Sequence, residues 1–297
     1  MTDALIISDD HPPGQPVVPP GREAWRMFVR NKPAVAGLVM LTGIIVMTYL
    51  GPYLYDQDPS DIVARPLKSP GTEGIPRLGT DYLGRDVLAG VINGGSTTLK
   101  VAAVSAILIV FIGVTIGSLA GFYGGWIDNL LMRFTEVFQV LPALLFAMVV
   151  VALFSPTPRT IAIAIGIVLW PQIARLTRAE FLRLKNLEFV KAARTIGASD
   201  SRIMFRVILP NALPPLIVAT TLVMGSAILF EAYLAFLGLG DPNELSWGLM
   251  IGLNRPTFLT SWWTITFPGL VIFITVLSFS LIGDGLQDAF NPKLRGR

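Results

Sequence analysis

The segment that decides how this chain is interpreted is residues 188–210, EFVKAARTIGASDSRIMFRVILP. It is charged and rich in helix-favouring residues, although strongly apolar runs lie on both sides. Four of its apolar residues recur at helical spacing and predict one apolar helix face: Phe189, Val190, Ala193 and Ile196. Gly197 predicts that the helix ends there, at a residue in the left-handed conformation. The Ala-Ser-Asp-Ser run then offers N-caps for a second short helix, residues 202–209, which Pro210 closes. A helix-turn-helix beside a membrane is therefore expected, with a plain basic cytoplasmic loop as the alternative.

Composition indicates that most of the chain does not face water. Of 297 residues, 53% are hydrophobic and 14% are charged, whereas soluble domains carry about 25% charged residues. The absence of cysteine excludes disulfides, thiolate metal sites and cysteine nucleophiles. His11 is the single histidine, which argues against a histidine metal cluster or a histidine-based triad. We therefore predict no catalytic residue, no metal site and no nucleic-acid partner.

Apolar runs separated by polar ones predict an all-α polytopic membrane protein with six transmembrane helices. The predicted spans are residues 34–54, 99–122, 129–154, 161–173, 211–237 and 262–283. Residues 1–33 are predicted to form a cytoplasmic tail with an interfacial helix near its end, or a plain linker there. Residues 55–98 are predicted to be an extracytoplasmic loop, and residues 284–297 a cytoplasmic C-terminus.

Several residues in or near the spans have specific predicted roles. Glycines 113, 117 and 121 fall four residues apart, a pattern that lets a neighbouring helix approach closely. Glu231 places a carboxyl group inside an apolar span, which is costly unless it faces protein or water. It is expected either to line a solute pathway or to fix helix packing through a hydrogen bond.

A second motif, RLGTDYLGRDVLAGVINGG, occupies residues 77–95. Gly79 and Gly84 permit tight turns, and charged side chains are expected to tie the loop through charge-assisted hydrogen bonds. These side chains are Asp81, Arg85 and Asp86. The motif is equally compatible with a structural loop and with a gate or a contact for a binding protein.

Basic residues are distributed unevenly between the two sides of the predicted membrane. One side receives the N-terminal arginines, the basic C-terminus and eight basic residues between positions 175 and 206. The excess of Lys and Arg identifies this side as cytoplasmic. Six spans then place both termini and residues 188–210 in the cytoplasm.

The pattern Ala192-Ala193, Gly197 and Leu209-Pro210 resembles the EAA loop of ABC importer permeases, the element that docks onto the ATPase subunits. The chain departs from the general pattern at two positions.

Lys191 stands where the general motif has an acid, and Val207 where isoleucine is usual. An alanine pair flanked by basic residues, here Lys191 and Arg194, resembles the dipeptide/oligopeptide/nickel branch of the family. The segments at residues 78–88, 236–248 and 283–297 also resemble motifs of that branch, in the same order. The resemblance extends over roughly residues 25–297.

The resemblance implies a type I ABC importer permease fold, with residues 99–283 as its core. It implies a permease subunit of an ATP-driven importer of di- or oligopeptides, or alternatively of nickel chelates, in the bacterial cytoplasmic (inner) membrane. The implied partners are a homologous permease subunit, two ATP-binding subunits, an extracytoplasmic solute-binding protein and the lipid membrane. The residues implied to couple to the ATPase are Lys191, Ala192, Ala193, Arg194, Gly197, Leu209 and Pro210.

The chain contains no G-x-x-x-x-G-K-[ST] loop. We therefore expect it to bind no cofactor, with ATP-Mg held by the partner subunits. An ion-driven secondary transporter would instead show inverted repeats and charges near mid-bilayer. A membrane scaffold that recruits soluble proteins is a third interpretation.

Overall fold

The computed structural model describes residues 20–290. The predictions for residues 1–19, including the tail with His11, and for residues 291–297 lie outside this part of the chain. Within it the backbone is almost entirely helical. The helices are α1 (Pro20–Arg30), α2 (Lys32–Leu54), α3 (Val87–Tyr123), α4 (Gly125–Val140), α5 (Ala143–Leu153), α6 (Pro158–Leu184), α7 (Glu188–Thr195), α8 (Asp200–Leu239), α9 (Trp247–Asn254) and α10 (Trp263–Phe290).

In the described part of the chain, five helices are long and apolar enough to cross a membrane, namely α2, α3, α6, α8 and α10. The bent pair α4–α5 meets the same criteria when it is taken as one span, which gives up to six. The predicted all-α membrane fold is therefore confirmed.

Helices α3 and α6 pack closely along the glycine ridge of α3. A Cβ atom added to Gly113 would lie 2.7 Å from Cβ of Ile173, and one added to Gly121 would lie 2.6 Å from Cβ of Phe181. These distances are far below van der Waals contact, so only glycine permits this approach of the two helices. The structure thus confirms the close helix contact predicted from the spacing.

Replacing Gly117 with alanine is expected to lower the free energy of unfolding by about 1–3 kcal/mol, because overpacking forces the helices apart. The added methyl group would meet the carbonyl oxygen of Ala174 and would lie 2.6 Å from Cβ of Thr177. Gly43→Ala is the matched control, since no atom lies within 4 Å of the added Cβ there. Thermal unfolding in detergent measures both variants, and equal melting temperatures would contradict the packing described.

The predicted third span, residues 129–154, is not one straight helix. Helices α4 and α5 are bent by 86° at the break between them. Pro142 causes the break, because proline lacks an N–H donor and disfavours helical geometry at the preceding residue. Leu141 is accordingly extended, with φ −74° and ψ 132°.

The predicted loop of residues 55–98 ends earlier than expected, because α3 begins at Val87 instead of residue 99. The side chain of Asp86 caps α3 by accepting a hydrogen bond from the Leu88 N–H at 2.8 Å. The polar residues that resembled a loop lie within the first turns of the helix. Asn93, for example, donates to the Ala89 carbonyl one turn earlier.

The predicted short helix of residues 202–209, closed by Pro210, is wrong. Helix α8 begins at Asp200 and runs without a break through Pro210 into the predicted fifth span, residues 211–237. Residues Ile203–Ile208 form wider π-helical turns, in which the Leu209 N–H donates to the Met204 carbonyl. Such a bulge accommodates the proline, whose ring would otherwise crowd the preceding turn.

Other helix ends also differ from the predictions. Helix α6 begins at Pro158, before the predicted span of residues 161–173, and α10 continues past residue 283 into the predicted C-terminal segment, residues 284–297. The N-terminal helix α1 packs against the end of α10 through Phe28 and Ala289. Sequence reasoning did not anticipate this contact, since it placed α1 at the lipid interface.

Candidate functional site

Helix α7, the first half of the segment 188–210, is fixed to the bundle by one buried side chain. Val190 is buried in a cluster with residues of α3, α6 and α8, including Phe122, Phe181 and Ile208. The short links from α6 to α7 and from α7 to α8 place α7 at the end of the bundle where these two long helices meet. A force on α7 would therefore act directly on α6 and α8.

The turn after α7 is closed at Gly197, as the sequence predicts. Its φ is +81°, in the left-handed region that favours glycine. The N–H of Gly197 donates to the Arg194 carbonyl at 3.0 Å, and the N–H of Ala198 donates to the Ala193 carbonyl at 3.1 Å. These bonds cap the end of α7 and set the angle at which the chain enters α8.

The surface of this element is apolar as well as basic. Ile196 is 85% exposed, and Phe189 and Phe205 are about half exposed at 43% and 56%. The predicted apolar face is therefore divided, because Val190 packs inward whereas Phe189 and Ile196 remain outside. We call residues 188–210 the coupling surface, after the role that the sequence predicts for them.

The predicted coupling residues lie together on or beside this surface. Lys191, Ala192, Arg194, Gly197 and Pro210 are exposed, and Ala193 and Leu209 are half-buried. The side chain of Lys191 bonds to Glu188 at 2.8 Å.

Two polar contacts beneath the coupling surface were not found from the sequence. Arg178 of α6 forms a bidentate ion pair with Asp128 of α4, at 2.5 and 2.6 Å. Lys185, at the end of α6, donates to the Gly121 carbonyl near the end of α3 at 2.9 Å. Bidentate guanidinium–carboxylate pairs have a defined geometry, so these contacts fix the ends of α3, α4 and α6 to one another. Their sequence separations of 50 and 64 residues left no local signal.

Glu231 is buried within the bundle, with only 2% of its surface exposed. Its carboxyl group accepts a hydrogen bond from the Thr98 hydroxyl at 3.2 Å, and that hydroxyl accepts from the Trp247 N–H at 3.3 Å. The carboxyl group thus connects α8 to α3 and to the start of α9. This arrangement matches the predicted packing role, while lining of a solute pathway stays a prediction.

The residues of the loop motif are used largely within the loop. Gly79 and Gly84 have φ values of +78° and +87°. The carboxylate of Asp81 accepts hydrogen bonds from the N–H groups of Leu83 and Arg85, both at 2.8 Å. The Nε atom of Arg85 is buried without a hydrogen-bond partner, so this atom does not help to tie the loop.

Asp86 also joins the loop to the end of α2. Its carboxylate accepts a hydrogen bond from the Tyr55 hydroxyl at 2.5 Å. This bond, with partial burial and the nearby negative charge, raises the pKa of Tyr55 to about 12 from its ordinary value of 10.0. The loop motif therefore has a demonstrable structural function, and contact with another protein stays a prediction.

Replacing Tyr55 with phenylalanine is expected to destabilise the protein by about 1–2 kcal/mol at neutral pH, because a hydrogen bond to a carboxylate is lost. The folded-state pKa of Tyr55 is raised, so this contribution is complete below pH 10.0 and is lost as the pH rises through about 12. Unfolding measured from pH 7 upwards, for both proteins, checks the prediction. A difference that grows above pH 10.0 would contradict it.

Among the side chains that the structure describes, those of residues 24–290, no group of three or more His, Cys, Asp or Glu is arranged to hold a metal ion. The arrangement instead presents a rigidly supported surface at one end of a helical bundle. Such a bundle, with five to six membrane-spanning candidates within residues 20–290, defines the class of polytopic helical membrane proteins.

Comparison with known families agrees with this class. Residues 113–296 match the sequence model described as "Binding-protein-dependent transport system inner membrane component". Residues 19–70 match the "N-terminal TM domain of oligopeptide transport permease C". The chain belongs to the family of inner-membrane components of binding-protein-dependent transport systems.

Individual relatives cover almost the whole chain. The dipeptide transport system permease protein of Bacillus subtilis is 39% identical, covering 92% of this chain and 86% of its own length. The di/tripeptide transport system permease protein of Pseudomonas aeruginosa is 39% identical, with 93% of each chain covered. The glutathione transport system permease protein of Pectobacterium atrosepticum is 36% identical, with 93% of this chain covered.

Among solved structures, the inward-facing methionine ABC transporter MetNI resembles this fold. The TM-score is 0.55 at 18% identity, with 68% of this chain and 97% of that chain covered. At this identity the likeness concerns the fold alone, and it agrees with the predicted importer permease fold.

Proposed function

We propose that this chain is the membrane-spanning permease subunit of an ATP-driven importer of di- or oligopeptides. The observation that carries the proposal is the coupling surface, which is exposed, partly apolar and held rigidly on α6 and α8. The relatives described above are named for dipeptides, di/tripeptides and glutathione. These names favour peptides over nickel chelates as the substrate class.

The proposed partners are a homologous permease subunit, two ATP-binding subunits and an extracytoplasmic solute-binding protein. ATP-Mg is bound by the ATP-binding subunits, and this chain catalyses no reaction. The protein lies in the bacterial inner membrane with both termini and the coupling surface in the cytoplasm. The excess of basic residues at this end of the bundle supports that orientation.

In the proposed mechanism, nucleotide-dependent closure of the ATP-binding subunits moves α7. Helix α8 transmits the movement across the membrane, because it runs for 40 residues from the coupling surface to the opposite end. Helix α6 moves together with α7, because Val190 packs against it. The ion pair Arg178–Asp128 and the hydrogen bond of Lys185 to Gly121 also hold α6 to its neighbours. The solute pathway then switches between two states whose populations depend on nucleotide.

The test is uptake of a labelled dipeptide into proteoliposomes that contain the complete importer. The ATP-binding subunits face the inside of the vesicles, where ATP is enclosed. Uptake that requires ATP and the binding protein supports the proposal. Uptake by this chain alone, driven by a proton gradient, would favour a secondary transporter. Co-purification with soluble partners, but without uptake of any peptide, would favour a scaffold.

A further inference from the structure

A cavity of about 550 Å³ lies at the opposite end of the bundle from the coupling surface. It is bounded by α3, by the first turns of α6 and by the loop between α8 and α9. Its volume is typical of pockets for small molecules, which span about 300–1,000 Å³. The charged side chains that line it are Lys100, Arg159, Asp241 and Glu244, and the apolar ones include Val101, Val104 and Ala162.

No two of these four charged groups form an ion pair within 4.0 Å. In residues 24–290, whose side chains the structure describes, the ion pairs within 4.0 Å are Arg133–Glu136, Arg178–Asp128, Arg183–Glu180 and Lys191–Glu188. None of the four charged residues that line the cavity takes part in them. Two cationic and two anionic side chains therefore face one space without a direct pairing between them.

A larger cavity, of about 830 Å³ between α4 and α6, provides a contrast. Several polar side chains along its walls already have partners, since Arg133 pairs with Glu136 at 3.4 Å and Arg175 donates to Gln139 at 3.1 Å. A ligand there would have to break these interactions. In the smaller cavity the carboxylates of Asp241 and Glu244 accept hydrogen bonds from Asn243 and Thr97. Neither carboxylate is in an ion pair within the described part of the chain, so the smaller cavity has more unpaired charge for a ligand.

The loop that supplies the two carboxylates is held in place. The Thr97 hydroxyl donates to Glu244 at 3.4 Å. Immediately after the loop, the N–H of Trp247 donates to Thr98, which in turn donates to the buried Glu231. The indole N–H of Trp247 donates to the Val91 carbonyl at 2.8 Å. A loop held in this way loses little entropy when a ligand binds to it.

We propose that this cavity binds the free termini of a zwitterionic peptide. Asp241 and Glu244 receive the α-ammonium group, and Lys100 and Arg159 receive the α-carboxylate. The apolar wall at Val104 accommodates a side chain of the peptide. Glu231 is a positioning residue, since it fixes the loop through Thr98. The inference rests on the proposed function and adds to it a recognition site within the permease itself.

The chain contains no cysteine, so a Val104→Cys variant carries its only thiol inside the cavity. Val104 is 47% exposed within this chain, so we expect its cysteine variant to react with a maleimide reagent. In the assembled importer, a dipeptide with free termini is expected to slow labelling of this thiol about tenfold, since each charge-assisted hydrogen bond contributes to affinity. The same dipeptide, N-acetylated or C-amidated, is expected to protect far less.

Two control variants make the result specific. Adding Glu244→Gln to Val104→Cys is expected to raise the peptide concentration needed for protection about tenfold. Glu73→Gln changes an exposed carboxylate outside the cavity and is expected to leave protection unchanged. A thiol at Leu259, which is 94% exposed and does not line the cavity, is expected to gain no protection.

Three outcomes would overturn the inference. The first is equal protection by free and capped peptides. The second is no protection in a preparation that shows ATP-dependent uptake, which would leave the proposed function intact. The third is protection by the solute-binding protein without peptide, which would make the cavity a docking surface. Protection by free peptide in an assembled complex without ATP-dependent uptake would support the site and count against the proposed function alone.

Discussion

Replacing Gly197 with valine is expected to reduce ATP-dependent peptide uptake about tenfold or more while leaving the abundance of the protein in the membrane unchanged. Gly197 has φ +81°, and a β-branched residue is a genuine outlier there. The strain of about 1–3 kcal/mol is relieved by a change in the angle between α7 and α8. No atom lies within 4 Å of a Cβ added at Gly197, so the expected effect comes from backbone strain and not from a steric clash.

Gly71→Val is the matched control for this experiment. Gly71 has φ +83° and equally open surroundings, but it lies in the long loop between α2 and α3. Gly197→Asn should retain much of the uptake, because asparagine tolerates the left-handed region. If Gly197→Val transported at the wild-type rate and at normal abundance, or if Gly71→Val lost transport equally, the role assigned to the turn would be wrong.

Replacing Ile196 with aspartate is expected to weaken the association with the ATP-binding subunits about a hundredfold. An isoleucine side chain gains about 1.5–3 kcal/mol on burial, and an unpaired carboxylate at the same position adds a desolvation cost. About 2.8 kcal/mol corresponds to the hundredfold change. The 85% exposure of Ile196 within this chain makes the side chain available to a partner.

The measurement is co-purification at graded concentrations of the ATP-binding subunits, followed by their peptide-dependent ATPase activity. Leu259→Asp introduces the same charge at a highly exposed apolar position at the other end of the bundle. It is expected to leave the association unchanged. Equal affinities for wild type and Ile196→Asp would exclude Ile196 from the contact.

The sequence predicts what depends on local chemistry. Apolar length predicts the spans, the left-handed turn follows from Gly197, and the glycine spacing of α3 predicts its contact with α6. The predicted coupling residues also lie on or beside one surface, because residues 188–210 are continuous in sequence. Each of these features depends on residues that lie close together in the sequence.

Features that depend on distant partners were missed or misplaced. The pair Asp128–Arg178 forms only after α4 and α6 have packed, so neither residue carries a local signal. The sequence predicted that the helix ends at Pro210, because proline usually ends a helical pattern. The π-helical turns before Pro210 instead permit α8 to continue. The cavity of about 550 Å³ likewise combines residues from α3, from α6 and from the loop between α8 and α9. These residues come close to one another only in the folded protein.

The claim that residues 188–210 contact the ATP-binding subunits is tested by cross-linking from an Ile196→Cys variant. The chain has no other cysteine, so a thiol-to-amine reagent starts from this position alone. We expect a covalent product of this chain with an ATP-binding subunit in the transport-competent complex, with a yield that changes when ATP is bound. A complex that transports peptide but gives no such product from Ile196→Cys, while Leu259→Cys does give one, would contradict it.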